Sequence, residues 1–311
     1  ILRQIRAGER PAFTNLLDSE LIGSGNYNLL GKGWINKHSH HLSHAAAGFQ
    51  TSPYNKATVV VIDAIGEWDT ISIWGAEYDS QGKATYRKLW RQRYPHSIGL
   101  FYSAVTQRIG LHPLDEEYIT MGMSAWGRPH WYQTMHNNLV ADDAQVEFKE
   151  NLHLGIDPNY LSFASNEDLA ASAQLLTETL IGEVMARARG FGWSTNLVYM
   201  GGVALNCLAN RNLGNYFDNI WIMPCPGDAG SSLGAACLGY GGKVNWHNSF
   251  LGHNIPGDYP VNRILDVLQT HCEKSQVKLE CNYLLHLSSV FLDELYLVVT
   301  CNQDVYLANL S

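Results

Sequence analysis

The chain has 311 residues, of which 46% are hydrophobic and 16% are charged. This composition is typical of a globular protein and excludes a largely disordered one. The formal charge of −8 argues against a nucleic-acid partner, because phosphate binding needs clustered Lys and Arg. The sequence shows no signal peptide, no apolar run of membrane-spanning length and no C-x-x-C pair among its six cysteines, so we expect a cytoplasmic protein without a membrane partner.

Residues 1–37 form a lead-in to which no chemistry is assigned. The next segment predicts a helix that begins after Ser39 and stops near Pro53. Residues four apart lie on one face of a helix, so His40 and His44 point the same way. Two imidazoles at this spacing form half of a metal site and need a further ligand from elsewhere. The alternative is that both histidines are merely polar and partly exposed.

Three strands are predicted next, over residues 58–63, 71–77 and 84–90. The first is a continuous β-branched run, which is typical of a strand buried on both faces. We expect a tight turn between the first two strands to bring together polar residues and a glycine that can bind phosphate groups and a metal. An ordinary polar hairpin turn is the alternative. The residues of this predicted turn are Asp63, Gly66, Glu67 and Thr70.

A helix is predicted to start at residues 95–97, with His96 and Ser97 at its N-terminus. This end favours an anionic ligand, although plain capping explains the same residues. Residues 130–165 are polar and irregular, which indicates an insertion or lid, and residues 168–189 predict a long helix with an apolar stripe.

The strand-to-glycine pattern then recurs. A strand over residues 196–200 is followed by Gly201, Gly202 and a helix over residues 203–209, and paired glycines let the backbone approach a ligand closely. A strand over residues 219–223 leads to Asp228, which lies before a Gly/Ala-rich helix. Open α/β sheets place ligand residues at such strand ends. Asp228 is therefore a candidate for the carboxylate that the two histidines lack, with a simple helix cap as the alternative.

Four blocks of this sequence resemble the NodU/CmcH family of O-carbamoyltransferases. They are the His-His-Leu-Ser-His-Ala-Ala segment at residues 40–46, residues 63–68, residues 95–104, and the Gly-Gly-Val-Ala-Leu-Asn segment at 201–206 together with Gly-Asp-Ala-Gly at 227–230. Their order and spacing also fit the family. The resemblance covers roughly residues 35–245.

The resemblance implies an α/β fold of the actin/Hsp70-like (ASKHA) type, with mixed sheets and flanking helices, related to the tRNA threonylcarbamoyltransferase subunit TsaD. Relative to the family, the domain is expected to be incomplete at its N-terminus. The implied organisation is a lead-in over residues 1–37, the ASKHA/TsaD-like carbamoyltransferase domain over 38–245, and an atypical segment over 246–311 where the family continues into a YrdC-like domain.

The resemblance also implies a reaction: a carbamoyl group moves from carbamoyl-adenylate, made from carbamoyl phosphate and ATP, to a hydroxyl-bearing small-molecule acceptor. A divalent, Fe(II)-like metal is expected at His40, His44 and Asp228. The adenylate is expected near Gly66, Gly201, Gly202 and Asn206. The candidates for the base that accepts the hydroxyl proton are His41 and His96.

The chain departs from the family at Ile119, where a lysine is common, and in lacking the segment that opens the YrdC-like domain. A separate YrdC-like polypeptide is therefore an expected partner. Two alternatives to a small-molecule carbamoyltransferase stay open. One is a TsaD-like tRNA-modifying subunit, which is disfavoured by the negative net charge and by the His-His-Leu-Ser-His sequence of the histidine motif. The other is an inactive ATP-binding partner module.

Overall fold

The structure, a computed structural model, describes residues 38–246, 297–301 and 304–308. Its centre is a five-stranded mixed sheet in the order β3-β2-β1-β6-β7. Only β2 runs against the other four strands. The predicted α/β class with a mixed sheet is confirmed. The strands are β1 (Lys56–Gly66), β2 (Asp69–Tyr78), β3 (Ala84–Arg93), β6 (Asn196–Met200) and β7 (Asn219–Trp221).

Helices cover both faces of this sheet. Val60 and Ile62 of β1 face one hydrophobic cluster, to which α2, α4 and α5 contribute. Val59 and Val61 face a second cluster against α1. The β-branched run is therefore buried on both faces, as its pattern predicts. The helices are α1 (His40–Thr51), α2 (Ile98–Arg108), α3 (Glu117–Met123), α4 (Tyr132–Leu139), α5 (Asn166–Gly190), α6 (Cys207–Asn210) and α7 (Asp228–Tyr240).

Two glycines allow close approaches that shape the functional end of the sheet. A Cβ atom on Gly234 of α7 would lie 1.8 Å from the carbonyl oxygen of Ser43 in α1, so these helices touch backbone to backbone. Gly201, which follows β6, has φ +93° and leaves no room for a Cβ beside the carbonyl oxygen of Ile62. Its N–H donates to the carbonyl of Pro226. The C-terminal part of β1 and the segments that follow β6 and β7 therefore meet at the same end of the sheet.

Residues 130–165, for which an irregular insertion or lid is predicted, are partly regular and pack into the core. They contain α4, a small two-stranded sheet of β4 (Val140–Asp142) and β5 (Glu147–Phe148), and a short 3₁₀ turn. Met135 and Leu139 are almost fully buried and belong to the main core. A few apolar residues spaced among polar ones were enough to anchor the segment, and an average over its composition hides them.

Smaller corrections concern the ends of elements. The predicted helix at 203–209 is a 3₁₀ turn, Gly202–Leu205, followed by the short α6, and β7 ends at Trp221, before residue 223. Asp63 lies within β1 because that strand continues to Gly66. The turn between β1 and β2 is therefore only two residues long, with Glu67 at φ +58°.

Residues 247–311 are assigned to a second unit of the chain. Its described part is an antiparallel pair, β8 (Leu297–Cys301) and β9 (Asp304–Ala308). The predicted lead-in over 1–37 and most of the predicted segment over 246–311 lie outside the described residues. Among the helices that are described, none combines the length and the apolar character needed to cross a bilayer.

Candidate active site

Four side chains converge where α1, β1 and α7 meet. The Nε2 atoms of His40 and His44 lie 2.9 Å apart. Oδ2 of Asp63 is 3.0 Å from Nε2 of His40 and 3.6 Å from Nε2 of His44. Oδ1 of Asp228 is 3.2 Å from the first and 3.3 Å from the second. The structure thus brings together the three predicted metal ligands and adds Asp63, whose predicted role was cofactor binding.

Each side chain reaches this point for a local reason. His40 and His44 stack one turn apart at the start of α1. Asp63 comes from the central strand, and Asp228 is the first residue of α7. The chain separation of 184 residues between His44 and Asp228 is closed by the contact between α1 and α7 at Gly234.

The two carboxylates differ in how firmly they are held. The side chain of Asp63 is 9% exposed and that of Asp228 is 73% exposed. Oδ1 of Asp63 also accepts hydrogen bonds from the N–H groups of Ala64 at 2.9 Å and Gly202 at 3.2 Å. The Asp63 carboxylate is therefore held in place by backbone N–H groups, whereas the Asp228 side chain is largely exposed to solvent.

The electrostatics of the group favour positive charge between the carboxylates. Burial opposes protonation of His40, but hydrogen bonds to Asp228 and Asp63 outweigh it and raise the pKa of His40 to about 10. The same two partners overcome burial to raise the pKa of His44. Hydrogen bonds from both histidines lower the pKa of Asp228 to about 2. For Asp63, burial acts upward, but the two histidines hold its pKa well below the ordinary value.

This donor set fits a divalent metal ion. One potential ligand atom from each of the four residues lies within 4.8 Å of the other three. Atoms bound to one ion at about 2.0–2.2 Å are at most about 4.4 Å apart, so adjustments of a few tenths of an ångström complete the geometry. Two imidazoles and two carboxylates suit a first-row divalent ion, and a cation meets the same demand for positive charge as the protons do.

A cavity of about 950 Å³ opens beside the four residues. His40, Asp63 and Asp228 form part of its wall, while His44 lies behind them and is fully buried. The remaining lining residues come from the end of β1 and the turn after it, from α2, α3 and α5, from the residues just before α3, and from the segments after β6 and β7. The volume is at the upper end of the range for small-molecule sites.

The predicted cofactor residues divide into two sets. Asp63, Glu67, Gly202 and Asn206 line the cavity. Gly66, Thr70 and Gly201 are not among its lining residues. Gly66 lies against the rings of His40 and His41, and the buried Thr70 hydroxyl donates to the carbonyl of His96 at 2.5 Å. The Thr70 hydroxyl thus contacts the segment between β3 and α2, which is compatible with the ordinary-turn alternative for this residue.

The structure argues against His41 and His96 as the base, because neither ring lines the cavity. His41 is 2% exposed, its Nδ1 lies 2.7 Å from the Ser72 hydroxyl, and burial lowers its pKa to about 3. Nδ1 of His96 accepts a hydrogen bond from the N–H of Phe148. At the next position Ser97 caps α2 by accepting from the N–H of Leu100, so the capping alternative describes this helix start.

A buried amide network supports the cavity wall and was not predicted. Asn206 and Gln174 exchange two hydrogen bonds, at 2.9 and 3.0 Å, and the Tyr102 hydroxyl donates to Oε1 of Gln174 at 2.8 Å. Asn206 also accepts from the N–H of Ala209 and so caps α6. The network joins α2, α5 and the turn after β6. A lone Gln inside an apolar helix was the only signal in the sequence.

Comparisons with known proteins show what this chain is similar to. Residues 15–237 match the family model described as Carbamoyltransferase N-terminus. The uncharacterised protein sll1178 of Synechocystis is 34% identical over 63% of this chain and 35% of its own length. Nodulation protein NolNO of Sinorhizobium fredii is 26% identical over 64% of this chain and 30% of its own length. The chain therefore spans about a third of the length of these relatives.

Among solved structures, the activator of 2-hydroxyisocaproyl-CoA dehydratase from Clostridium difficile with bound ADPNP aligns with a TM-score of 0.41 and 16% identity. It covers 70% of each chain. HypF of T. kodakarensis aligns with a TM-score of 0.35 and 16% identity over 65% of this chain and 36% of its own. Both likenesses are distant, and no function follows from them.

Proposed function

Because the chain belongs to the carbamoyltransferase N-terminus family, we propose that it transfers a carbamoyl group from carbamoyl-adenylate to an acceptor hydroxyl. The carbamoyl-adenylate derives from carbamoyl phosphate and ATP, and a YrdC-like domain is the proposed supplier. The observation that carries the proposal is the convergence of His40, His44, Asp63 and Asp228 beside one large cavity, whose wall includes three of them.

His40, His44, Asp63 and Asp228 are the proposed ligands of a divalent metal ion, with Fe(II) as the expected metal. When bound, such an ion acts as a Lewis acid on phosphate and carbonyl oxygens. Asp63 has a second task in this proposal. Its carboxylate joins the site to the N–H of Gly202, and so fixes the loop after β6 relative to the histidines.

The proposed place of the adenylate is along the turn after β6 and the start of α7. Gly202, Asn206 and Gly227 line the cavity there. The N-terminus of α7 favours an anionic group because its first N–H groups lack partners within the helix. Asn206 is held in one orientation by Gln174, which makes it a fixed element of the wall.

The transfer balances without oxidation or reduction. The acceptor oxygen forms a bond to the carbamoyl carbon, and the bond from that carbon to the phosphate oxygen breaks. The electron pair leaves with AMP, and the hydroxyl proton passes to water in the open cavity. The chain's own contribution is to hold both reactants in one cavity, which converts a bimolecular reaction into one between neighbours.

Release of AMP tests the proposal. The full chain, loaded with Fe(II), is incubated with pre-made carbamoyl-adenylate and a panel of hydroxyl acceptors, and AMP is quantified. We expect AMP release to depend on at least one acceptor, to be lost in His44→Ala and to be unchanged in Glu183→Gln, an exposed carboxylate on α5. If AMP release never depends on an acceptor, the transferase proposal fails, and the chain is a nucleotide-binding module at most.

A further inference from the structure

A second part of the cavity wall contains neither of the two histidines. It is formed by α2, α3, α5 and the residues just before α3. We call it the acidic end and define it by Asp115, Glu117 and Thr177, all of which line the cavity. The Glu117 carboxylate accepts hydrogen bonds from the Ser103 hydroxyl at 2.5 Å and from the N–H of Leu114 at 2.6 Å. Glu117 is thus held in place from two sides.

Thr177 is the residue whose environment is incomplete without a ligand. Its side chain is 1% exposed, and its hydroxyl has no hydrogen-bond partner among the described residues. Buried polar groups in folded proteins are almost always paired. Since Thr177 lies in the cavity wall, a polar atom of a bound molecule is the natural partner for this hydroxyl.

The charge of the cavity indicates what kind of molecule binds there. Among the described residues that line it, five are carboxylates and none is Lys or Arg. They are Asp63, Glu67, Asp115, Glu117 and Asp228. These carboxylates differ in their partners. Asp228 pairs with the two histidines. Asp115 and Glu117, like Glu67, form no ion pair with any described residue.

A metal ion does not account for the acidic end. Within the described part of the chain, the group of side chains close enough to hold a metal is the one around His40 and His44. Asp115 and Glu117 have no such companions, so their charge suits a larger, organic cation. The exposed ring of Tyr118 lines the same wall and can contact a cationic group through its π face.

We infer that the acidic end binds the acceptor, and that the acceptor carries a protonated amino group near the hydroxyl that receives the carbamoyl group. Glu117 and Asp115 pair with the ammonium group, and Thr177 hydrogen-bonds a polar atom of the same molecule. The inference rests on the proposed function for the identity of the reaction. The cavity volume of about 950 Å³ leaves room for an adenylate and an acceptor together.

Binding of three sugars that differ at one position tests the ammonium requirement. The full chain is titrated with glucosamine, glucose and N-acetylglucosamine at neutral pH, and binding is measured calorimetrically. We expect glucosamine to bind at least about tenfold more tightly than either neutral sugar, and high salt to weaken it. Equal affinity for the three sugars, including no binding of any, overturns the inference.

Matched variants assign the effect to named side chains. Glu117→Gln should lower glucosamine affinity about tenfold, while Glu183→Gln, which is exposed outside the cavity, should leave it unchanged. Thr177→Val should weaken binding severalfold, Thr177→Ser should restore it, and Thr179→Val serves as the control on the same helix. Thermal unfolding of each variant confirms folding. Unchanged glucosamine affinity in both Glu117→Gln and Thr177→Val contradicts the assignment.

The outcomes separate this inference from the proposed function. If neutral hydroxyl acceptors promote AMP release as well as amino-bearing acceptors do, the proposed transferase function stands and the acidic end is not an ammonium site. If glucosamine binds as expected but no acceptor promotes AMP release, the binding site stands and the proposed reaction fails.

Discussion

The two ends of the cavity are built on opposite principles. At the histidine end, His40 and His44 face two carboxylates, and all the contacts lie between 2.9 and 3.6 Å. At the acidic end, the carboxylates Asp115 and Glu117 have no cationic neighbour in the described structure, and the hydroxyl of Thr177 has no partner. The first end is balanced within the protein, whereas the second is balanced only by a ligand.

The difference shows where each kind of ligand is recognised. A small ion needs several ligand atoms at one point, which the rigid contact between α1, β1 and α7 supplies. An organic molecule needs separated contacts across a wider wall, which α2, α3 and α5 supply. The predictions below test the two ends separately.

The largest expected effect is at the histidine end. His44→Ala should lower the affinity for Fe(II) or Co(II) by at least about 100-fold, since the loss of a direct ligand costs at least as much as the loss of its supporting hydrogen bonds. His41→Ala should keep one bound metal per chain, because the His41 ring faces Ser72, although thermal stability should fall. Metal titration of both variants measures this, and equal losses of affinity would mean that the spacing argument chose the wrong ligands.

The second prediction concerns the stability that the buried amide network of Gln174, Asn206 and Tyr102 gives to the cavity wall. Gln174→Leu leaves buried polar atoms of Asn206 and Tyr102 without partners, which should lower the free energy of unfolding by about 2 kcal/mol. Gln133→Leu, an exposed change on α4, is the matched control and should cost little. Urea denaturation measures both. A negligible loss in Gln174→Leu would show that the amide network does not hold this wall.

The two carboxylates of the histidine end should contribute unequally to metal affinity. Asp63→Asn should weaken metal binding about tenfold more than Asp228→Asn, because the Asp63 side chain is 9% exposed and that of Asp228 is 73% exposed. Charges interact more strongly where water is excluded. Titration with Co(II) gives both affinities. The reverse order would place the more important ligand on the open side of the site.

The smallest effect concerns pH in the metal-free protein. Folding raises the pKa of His40 from 6.5 to about 10, so the stabilisation by its protonated ring is complete below pH 6.5 and is lost as the pH rises towards 10. With a chelator present, the melting temperature should fall between pH 7 and 10, and fall less in His40→Gln. Parallel curves for the two proteins would contradict this assignment.

Sequence reasoning reached the histidine end because its signals are local. The spacing of His40 and His44 encodes a shared helix face, and Asp228 follows a strand in a Gly-rich segment. Asp63 was found but given another role, because the strand was expected to end where it instead continues to Gly66. The contact of the Thr70 hydroxyl with the carbonyl of His96 likewise depends on how the hairpin closes, and the sequence does not show it.

The acidic end was largely out of reach of the sequence. Glu117 and Thr177 are 60 positions apart in the chain, and no periodicity relates a residue of α3 to one of α5. That Thr177 lies in the same wall without a partner is a property of the packed structure, because a Thr in a long apolar helix normally bonds to its own backbone.

Anomalous diffraction from crystals of the protein soaked in Co(II) or Fe(II) tests whether His40, His44, Asp63 and Asp228 bind one metal ion. Data collected at the absorption edge of the metal locate the ion without reference to activity. The account predicts one strong peak per chain at about 2.0–2.3 Å from Nε2 of His40 and His44 and from carboxylate oxygens of Asp63 and Asp228. A peak elsewhere, or none at these four residues under saturating metal, would contradict it.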